Sequence, residues 1–228
     1  MPLLTVTLAW LLGSLAAILP ASPSPVLHAR FIGNAAVEIT DGSFTLLTDF
    51  PYQSGSFGYM TYDSAELYPR SNSVCLFTHA HADHFAPPLV RKIGCAVIGP
   101  VSVSSSVGRL KVLPLEPTIS IGPLVVTPVR TDHGSEPHDS YRVNWKGLSI
   151  YFTGDTESAS ELSRQGRLDA LFITPWLLAK ARAAGLLPEA SLVVVYHHRA
   201  GEKIEPCPSC LIPRQGQSFD LTGAWPTR

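Results

Sequence analysis

Residues 79–84 read His-Ala-His-Ala-Asp-His. Three imidazoles and a carboxylate packed this closely are a donor set for divalent metal ions. The fold must therefore bring the remaining ligands to this point of the chain. The residues just before the motif, Val74 to Thr78, are apolar and β-prone, which predicts a buried strand ending at it. His79 and His81 lie two apart on extended backbone, so they point the same way and can share one ion. Asp83 and His84 follow as the chain turns toward a predicted helix from Pro87 to Lys92, and they can reach a second ion.

Downstream, the same event recurs. Leu124 to Val129 reads as a strand that runs into Arg130-Thr131-Asp132-His133-Gly134. Leu148 to Phe152 reads as a strand that ends at Thr153-Gly154-Asp155-Thr156, and Leu192 to Tyr196 as one that ends at His197-His198. Wherever an apolar strand stops, a metal-ligating side chain appears. Strand ends on one edge of a sheet can converge on a single cleft. His197 directly follows its strand and is favoured over His198, which would face the opposite way; a bulge would reverse that choice. His28 and His138 have no place in the pattern, and His138 reads as a solvated loop residue that could still line the cleft.

This ordered set, HxHxDH followed by a lone His, an Asp after a strand and a last His, resembles the metallo-β-lactamase-fold hydrolase superfamily from about Phe31 to Leu221. The resemblance implies an α/β fold, a four-layer αββα sandwich with two metal ions between its sheet edges. It also implies that His79, His81 and His133 hold the first metal. Asp83, His84 and His197 would hold the second, with Asp155 bridging both.

Zinc with nitrogen and oxygen ligands lowers the pKa of bound water toward ~7, and two ions sharing one oxygen would supply hydroxide at neutral pH. Asp83 is the candidate catalytic residue, placed to orient that hydroxide and take up a proton. No Gly-x-Ser-x-Gly segment offers a serine nucleophile, so metal-assisted hydrolysis is the simplest chemistry. Zinc is the default for both ions; manganese or iron would also suit the mixed donors. The Asp at 155 is usually lacking in the antibiotic-degrading branch of the superfamily, so the chain looks like the lactonase, phosphodiesterase and thioesterase branches rather than a β-lactamase.

One branch resembles it further. The opening, Phe31 to Ile39 and then Leu46 to Asp49, is similar to the lineage of L-ascorbate-6-phosphate lactonase and N-acylphosphatidylethanolamine-hydrolysing phospholipase D. It reads as two strands joined by Asp41-Gly42, a hairpin turn signal. The lineage's usual histidine is Asn34 here. Asp49 is either an acceptor behind a ligand histidine or a plain strand-end turn residue. The aromatic-rich stretch from Tyr52 to Tyr68 reads as a loop, which either roofs the cleft or covers a satellite hydrophobic cluster.

Residues 1–29 contain no Lys, Arg, Asp or Glu, and Leu3 to Leu19 is an apolar run. That length lies between a signal-peptide core of about 7–15 residues and a spanning helix of about 20. The expectation is an exported protein, periplasmic or secreted, with residues 1–29 as a signal peptide and 30–228 as the hydrolase domain. An anchor retained at residues 3–19, with membrane proximity, is the alternative. A hydrophobic fraction of 45% against 15% charged residues excludes disorder, and a formal charge of −1 gives no basic surface for nucleic acid. The expected partner is a small-molecule substrate.

Cys207 and Cys210 could form a local disulfide in an oxidising compartment, whereas Cys75 and Cys95 read as buried small apolar residues. Three functions follow. The first is a hydrolase of a small ester, lactone or phosphodiester. The second is a membrane-associated phospholipase-like phosphodiesterase, and the third a non-catalytic metal-binding or sensory domain.

Overall fold

A computed structural model describes residues 26–108, 111–113, 116–205, 207 and 209–222. Along the chain run β1 (Leu27–Gly33), β2 (Ala36–Thr40), β3 (Thr45–Thr48), β4 (Ser73–Leu76), α1 (Pro87–Ile93), β5 (Ala96–Ile98) and α2 (Val101–Ser104). There follow β6 (Ile119–Ile121), β7 (Leu124–Arg130), β8 (Asp139–Trp145), β9 (Leu148–Phe152), α3 (Ala159–Ser163) and β10 (Leu168–Ile173). The chain closes with α4 (Pro175–Ala184), β11 (Ala190–Val195), β12 (Cys210–Leu211) and β13 (Ser218–Leu221). One sheet has the order β13-β1-β2-β3-β4-β5 and the other β12-β11-β10-β9-β8-β7-β6. Both are mixed: β3, β4 and β5 run parallel, as do β9 to β12, and the other pairings are antiparallel.

The period-2 alternation of strand side chains builds the layers. Leu46, Val74 and Leu76 enter the core between the sheets, where Leu192 and Val194 meet them from the other side. Their neighbours Leu47, Cys75 and Phe77 face outward, under Val90 and Ile93 of α1 and Val103 of α2. Val193 and Val195 likewise pack under Leu162 of α3 and Leu177, Leu178 and Ala181 of α4. Four layers result, helices outside and sheets inside, as the sequence led us to expect. The strands are apolar on both faces because both faces are covered.

Three readings of the sequence are corrected. The segment Phe31 to Ile39 is not one strand: Gly33 (φ 143) and Asn34 (φ 56) fold it back into the antiparallel pair β1–β2. Glycine and asparagine tolerate positive φ where other residues are strained. Cys75 and Cys95 are joined in a disulfide, with Cα atoms 5.8 Å apart. Parallel register sets Cys75 opposite Val97, and Cys95 lies two residues before Val97, so both thiols reach the same outer face. Lastly, Leu27, His28 and Ala29 belong to the domain, since they pair with both β13 and β2. Residues 1–25, which carry the apolar run, lie outside the described residues. Among the described residues no helix is long and apolar enough to cross a membrane. Cys207 and Cys210 form the local disulfide.

Candidate metal centre

Hydrogen bonds to backbone carbonyls between the two sheets join their edges at the motif. Asp139 N–H donates to Thr78 O at 3.0 Å, the Tyr141 hydroxyl to Phe77 O at 2.9 Å, and His197 N–H to Asn34 O at 2.7 Å. Loops that leave four different strands therefore meet at one place. His79, His81 and His133 bring one donor atom each to within 4.8 Å of one another, and so do Asp83, His84, Asp155 and His197. Every residue named from the sequence as a ligand lies in one of these two groups.

The hydrogen-bond pattern fixes which ring nitrogen three of the histidines offer. His84 Nδ1 donates to Asp49 Oδ2 at 3.0 Å, since a carboxylate only accepts. His133 Nδ1 donates to the Asp155 carbonyl at 3.2 Å. The Thr78 hydroxyl gives its single proton to Asp49, at 3.0 Å from Oδ2, and so accepts from His79 Nδ1 at 3.0 Å. All three imidazoles are left with a bare Nε2 turned inward. Asp49 is thus the acceptor behind a ligand histidine rather than an ordinary turn residue.

Inward-facing lone pairs meet with no proton assigned between them. His84 Nε2 lies 2.8 Å from His197 Nε2, and His81 Nδ1 lies 2.9 Å from His79 Nε2 and 3.2 Å from His133 Nε2. Asp155 Oδ1 is buried without a hydrogen bond, 3.2 Å from Nε2 of both His84 and His197. Asp83 Oδ2 is 3.3 Å from His197 Nε2. Burial opposes ionisation of Asp155, yet positive charge on the His84 and His197 side, as a proton on either Nε2 supplies, holds its carboxyl well below the usual range. Asp83 is held down in the same way, with burial outweighed by His197 and His84. Bare nitrogens converging on ionised carboxylates call for positive charge between them, and nitrogen–oxygen sets of this kind fit divalent cations.

His138 corrects the solvated-loop reading, because it is fully buried beneath the site. Its Nε2 accepts from the Asp155 N–H at 3.0 Å, so Nδ1 carries the proton and donates to Thr131 Oγ1 at 2.8 Å. That hydroxyl passes to Ser140 Oγ at 3.0 Å, and Ser140 donates to the Thr153 carbonyl at 2.7 Å. The ring of bonds closes around the turn that carries Asp155. Burial, against the pull of Asp155, pushes His138 down to about 3 and keeps it neutral. Gly154 sits at φ 59, and a Cβ there would collide with His138 Nε2 and Thr78. Thr-Gly-Asp is therefore shaped to its support, and the only sequence signal for His138 was an unassigned histidine just before a strand.

Asn34 is buried as well, and its Nδ2 donates to the Asp83 carbonyl. His197 adopts φ 55, which turns its ring into the site, whereas His198 Nε2 bonds the Pro213 carbonyl at 3.1 Å and its ring stacks on Phe31. The left-handed step after β11 settles which of the two faces the metal site.

The aromatic loop plays both roles considered for it. Tyr52 and Tyr62 pack with Phe50 in a satellite cluster. Tyr59 instead meets the His197 ring edge to face, with centroids 4.3 Å apart, and Trp176 flanks the same ring at 5.2 Å. A cavity of about 610 Å³ is lined by Ala80 and Ala82 between the ligands and by Tyr62, Leu67 and Phe85, but by no ligand side chain. We therefore locate the chemistry at the donor cluster, not in that cavity.

Comparisons with known proteins agree with this fold. The model of the family described as "Beta-lactamase superfamily domain" matches residues 29–175. No curated protein matches the chain. Among solved structures, a candidate metal-dependent hydrolase from Parabacteroides distasonis is similar at 21% identity and a TM-score of 0.62, covering 78% of this chain and 84% of that one. The metallo-β-lactamase fold protein YhfI from Bacillus subtilis is similar at 15% identity and a TM-score of 0.60, covering 86% and 99%. CmlA, a diiron β-hydroxylase from Streptomyces venezuelae, is similar at 17% identity and 0.53, covering 77% of this chain but only 45% of the hydroxylase. These likenesses establish the metallo-β-lactamase fold.

Proposed function

This chain belongs to the β-lactamase superfamily domain family, and from that premise we propose that it is a dinuclear metal-dependent hydrolase of a small ester, lactone or phosphodiester. The observation that carries the reading is the pair of donor groups, His79, His81 and His133 beside Asp83, His84, Asp155 and His197, each drawn together within 4.8 Å. Bound divalent cations would lower the pKa of a coordinated water toward ~7 and polarise the oxygen that receives charge.

The chain's own residues do the rest. Asp155, clamped by His138 at its N–H, belongs to the group with Asp83, His84 and His197 and would, as the family resemblance implies, serve both ions. Asp83, ionised and held at its carbonyl by Asn34, would orient the attacking water and accept its proton. Asp49 and Thr78 keep His84 and His79 in the tautomers that leave Nε2 free. Tyr59 and Trp176 wall the site beside His197 and exclude water from that flank.

Asp155 and the β2–β3 hairpin support the lactonase and phosphodiesterase branches over β-lactam hydrolysis. Zinc is our first choice; the likeness to a diiron enzyme keeps iron, and the oxygen donors keep manganese, in the comparison. Two disulfides among the described residues support export to an oxidising compartment.

The test is metal content together with turnover on a panel of esters, lactones and phosphodiesters, for wild type and Asp83→Ala. About two metals per chain, with turnover abolished in the variant, is the expected result. Protein that takes up no metal from solution would overturn the reading.

A further inference from the structure

His197 turns into the site, His198 turns away, and Arg199 emerges as the first exposed side chain after them. Its guanidinium lies over the Tyr59 ring, 4.8 Å from the centroid, and that ring in turn rests on His197. A cation is thereby held one aromatic layer away from a candidate ligand. Arg30, Arg130 and Arg164 are engaged by carboxylates, those of Glu66, Asp139 and Glu161, whereas Arg142 donates to the Gln165 carbonyl. Arg199 has no such partner among the described residues. Glu202, the nearest carboxylate on this loop, accepts from the Arg199 backbone N–H at 2.8 Å and forms no ion pair with the guanidinium. The Tyr59 hydroxyl also makes no hydrogen bond among the described residues.

We propose that Arg199, seated on Tyr59, is the subsite for a fixed oxyanion of the substrate, a phosphate or carboxylate carried close to the bond that is cleaved. Stacking on the ring already restricts the guanidinium, so little further freedom is lost on binding, and its planar fork presents paired donors to two oxygens. The whole chain is close to neutral, at −1, so this is a local preference and not the edge of a basic surface. The proposal rests on the hydrolase reading for its setting and narrows the substrate class to anionic ones.

The experiment uses the full chain loaded with zinc. The substrates are a neutral aryl ester, p-nitrophenyl butyrate, and the charged hemiester mono-p-nitrophenyl glutarate, which share a leaving group. In Arg199→Ala, the ratio of kcat/KM for the hemiester to that for the neutral ester should fall about ten-fold or more, through KM. Arg199→Lys should recover part of the ratio, and Arg167→Ala, on a remote surface ion pair, should leave it unchanged. An unchanged ratio in Arg199→Ala would overturn the subsite while leaving the hydrolase reading intact.

Calorimetric titration with phenylphosphonate and with benzoate reads the same site without turnover, and the tighter binder names the class of oxyanion. Should neither ester be hydrolysed, anion binding that weakens about ten-fold in Arg199→Ala keeps the subsite and places the failure on the hydrolase reading. Anion binding indifferent to Arg199 would overturn the subsite.

Discussion

The backbone N–H of Asp155 donates to Nε2 of His138 across 3.0 Å, and the His138 ring is fully buried. A residue that touches no metal position thus sets the height and direction of the turn carrying the candidate bridging carboxylate. Supporting hydrogen bonds of this kind typically change metal affinity by about 10–100-fold when broken.

His138→Ala leaves the Asp155 N–H and the Thr131 hydroxyl without their partner. We expect a loss of about 1–3 kcal/mol in urea unfolding of metal-free protein, and zinc affinity weakened about ten-fold in a chelator competition. Wild-type values in both measurements would show that the histidine only fills space.

His197 and His198 are neighbours in sequence but not in role. In His197→Ala, bound metal measured by elemental analysis should drop from about two ions per chain to about one. His198→Ala should keep both ions and lose about 1–2 kcal/mol of stability, because it removes the stack on Phe31 and the bond to the Pro213 carbonyl. The reverse pattern would exchange their assignments.

Asp41 supplies a pH dependence free of the metal site. Burial opposes its charge, but the N–H and hydroxyl of Ser43, the N–H of Phe44 and the Lys146 ammonium outweigh it and hold the carboxyl well below the usual range. A carboxyl lowered on folding stabilises the protein above its unfolded pKa of about 4, and the gain fades as pH falls below that value. Asp41→Asn should therefore be less stable than wild type by on the order of 1 kcal/mol at pH 6, allowing for solvent screening. The gap should narrow below about pH 4. A gap that stays constant down to pH 3 would remove the ionised carboxyl as its cause.

The two disulfides close loops of different length, with sequence separations of 20 for Cys75–Cys95 and 3 for Cys207–Cys210. On chain-entropy grounds, replacing Cys75 and Cys95 together by Ala should cost about 3 kcal/mol in urea unfolding, against about 2 kcal/mol for the shorter loop. Equal stability with and without reductant would argue against the first bridge.

Much of the site was legible without coordinates because metal ligation is written in local pattern. His79, His81, Asp83 and His84 lie within six residues of one another, and His133, Asp155 and His197 each follow the end of a strand. Near-continuous apolar runs located those strands, since both sheet faces are buried. Less legible was everything that depends on which strand ends face each other. His138 carries no local signal of burial; it is buried because Asp139 pairs with Thr78 across the sheets and draws the preceding residue beneath Asp155. Cys75 and Cys95 meet only because β4 and β5 are parallel neighbours in register.

Residue types and strand periodicity thus determined the donor set, the layered fold and the chemistry open to it, because those follow from side-chain identity and the two-residue repeat of a strand. Tertiary structure decided that His197 and not His198 enters the site, that Asp155 rests on His138, and that Arg199 stacks on Tyr59 above the ligands. Each of these depends on a left-handed backbone step or on contact between distant segments. Neither is encoded in any short stretch of chain, because both arise only when the two sheets close on their common core.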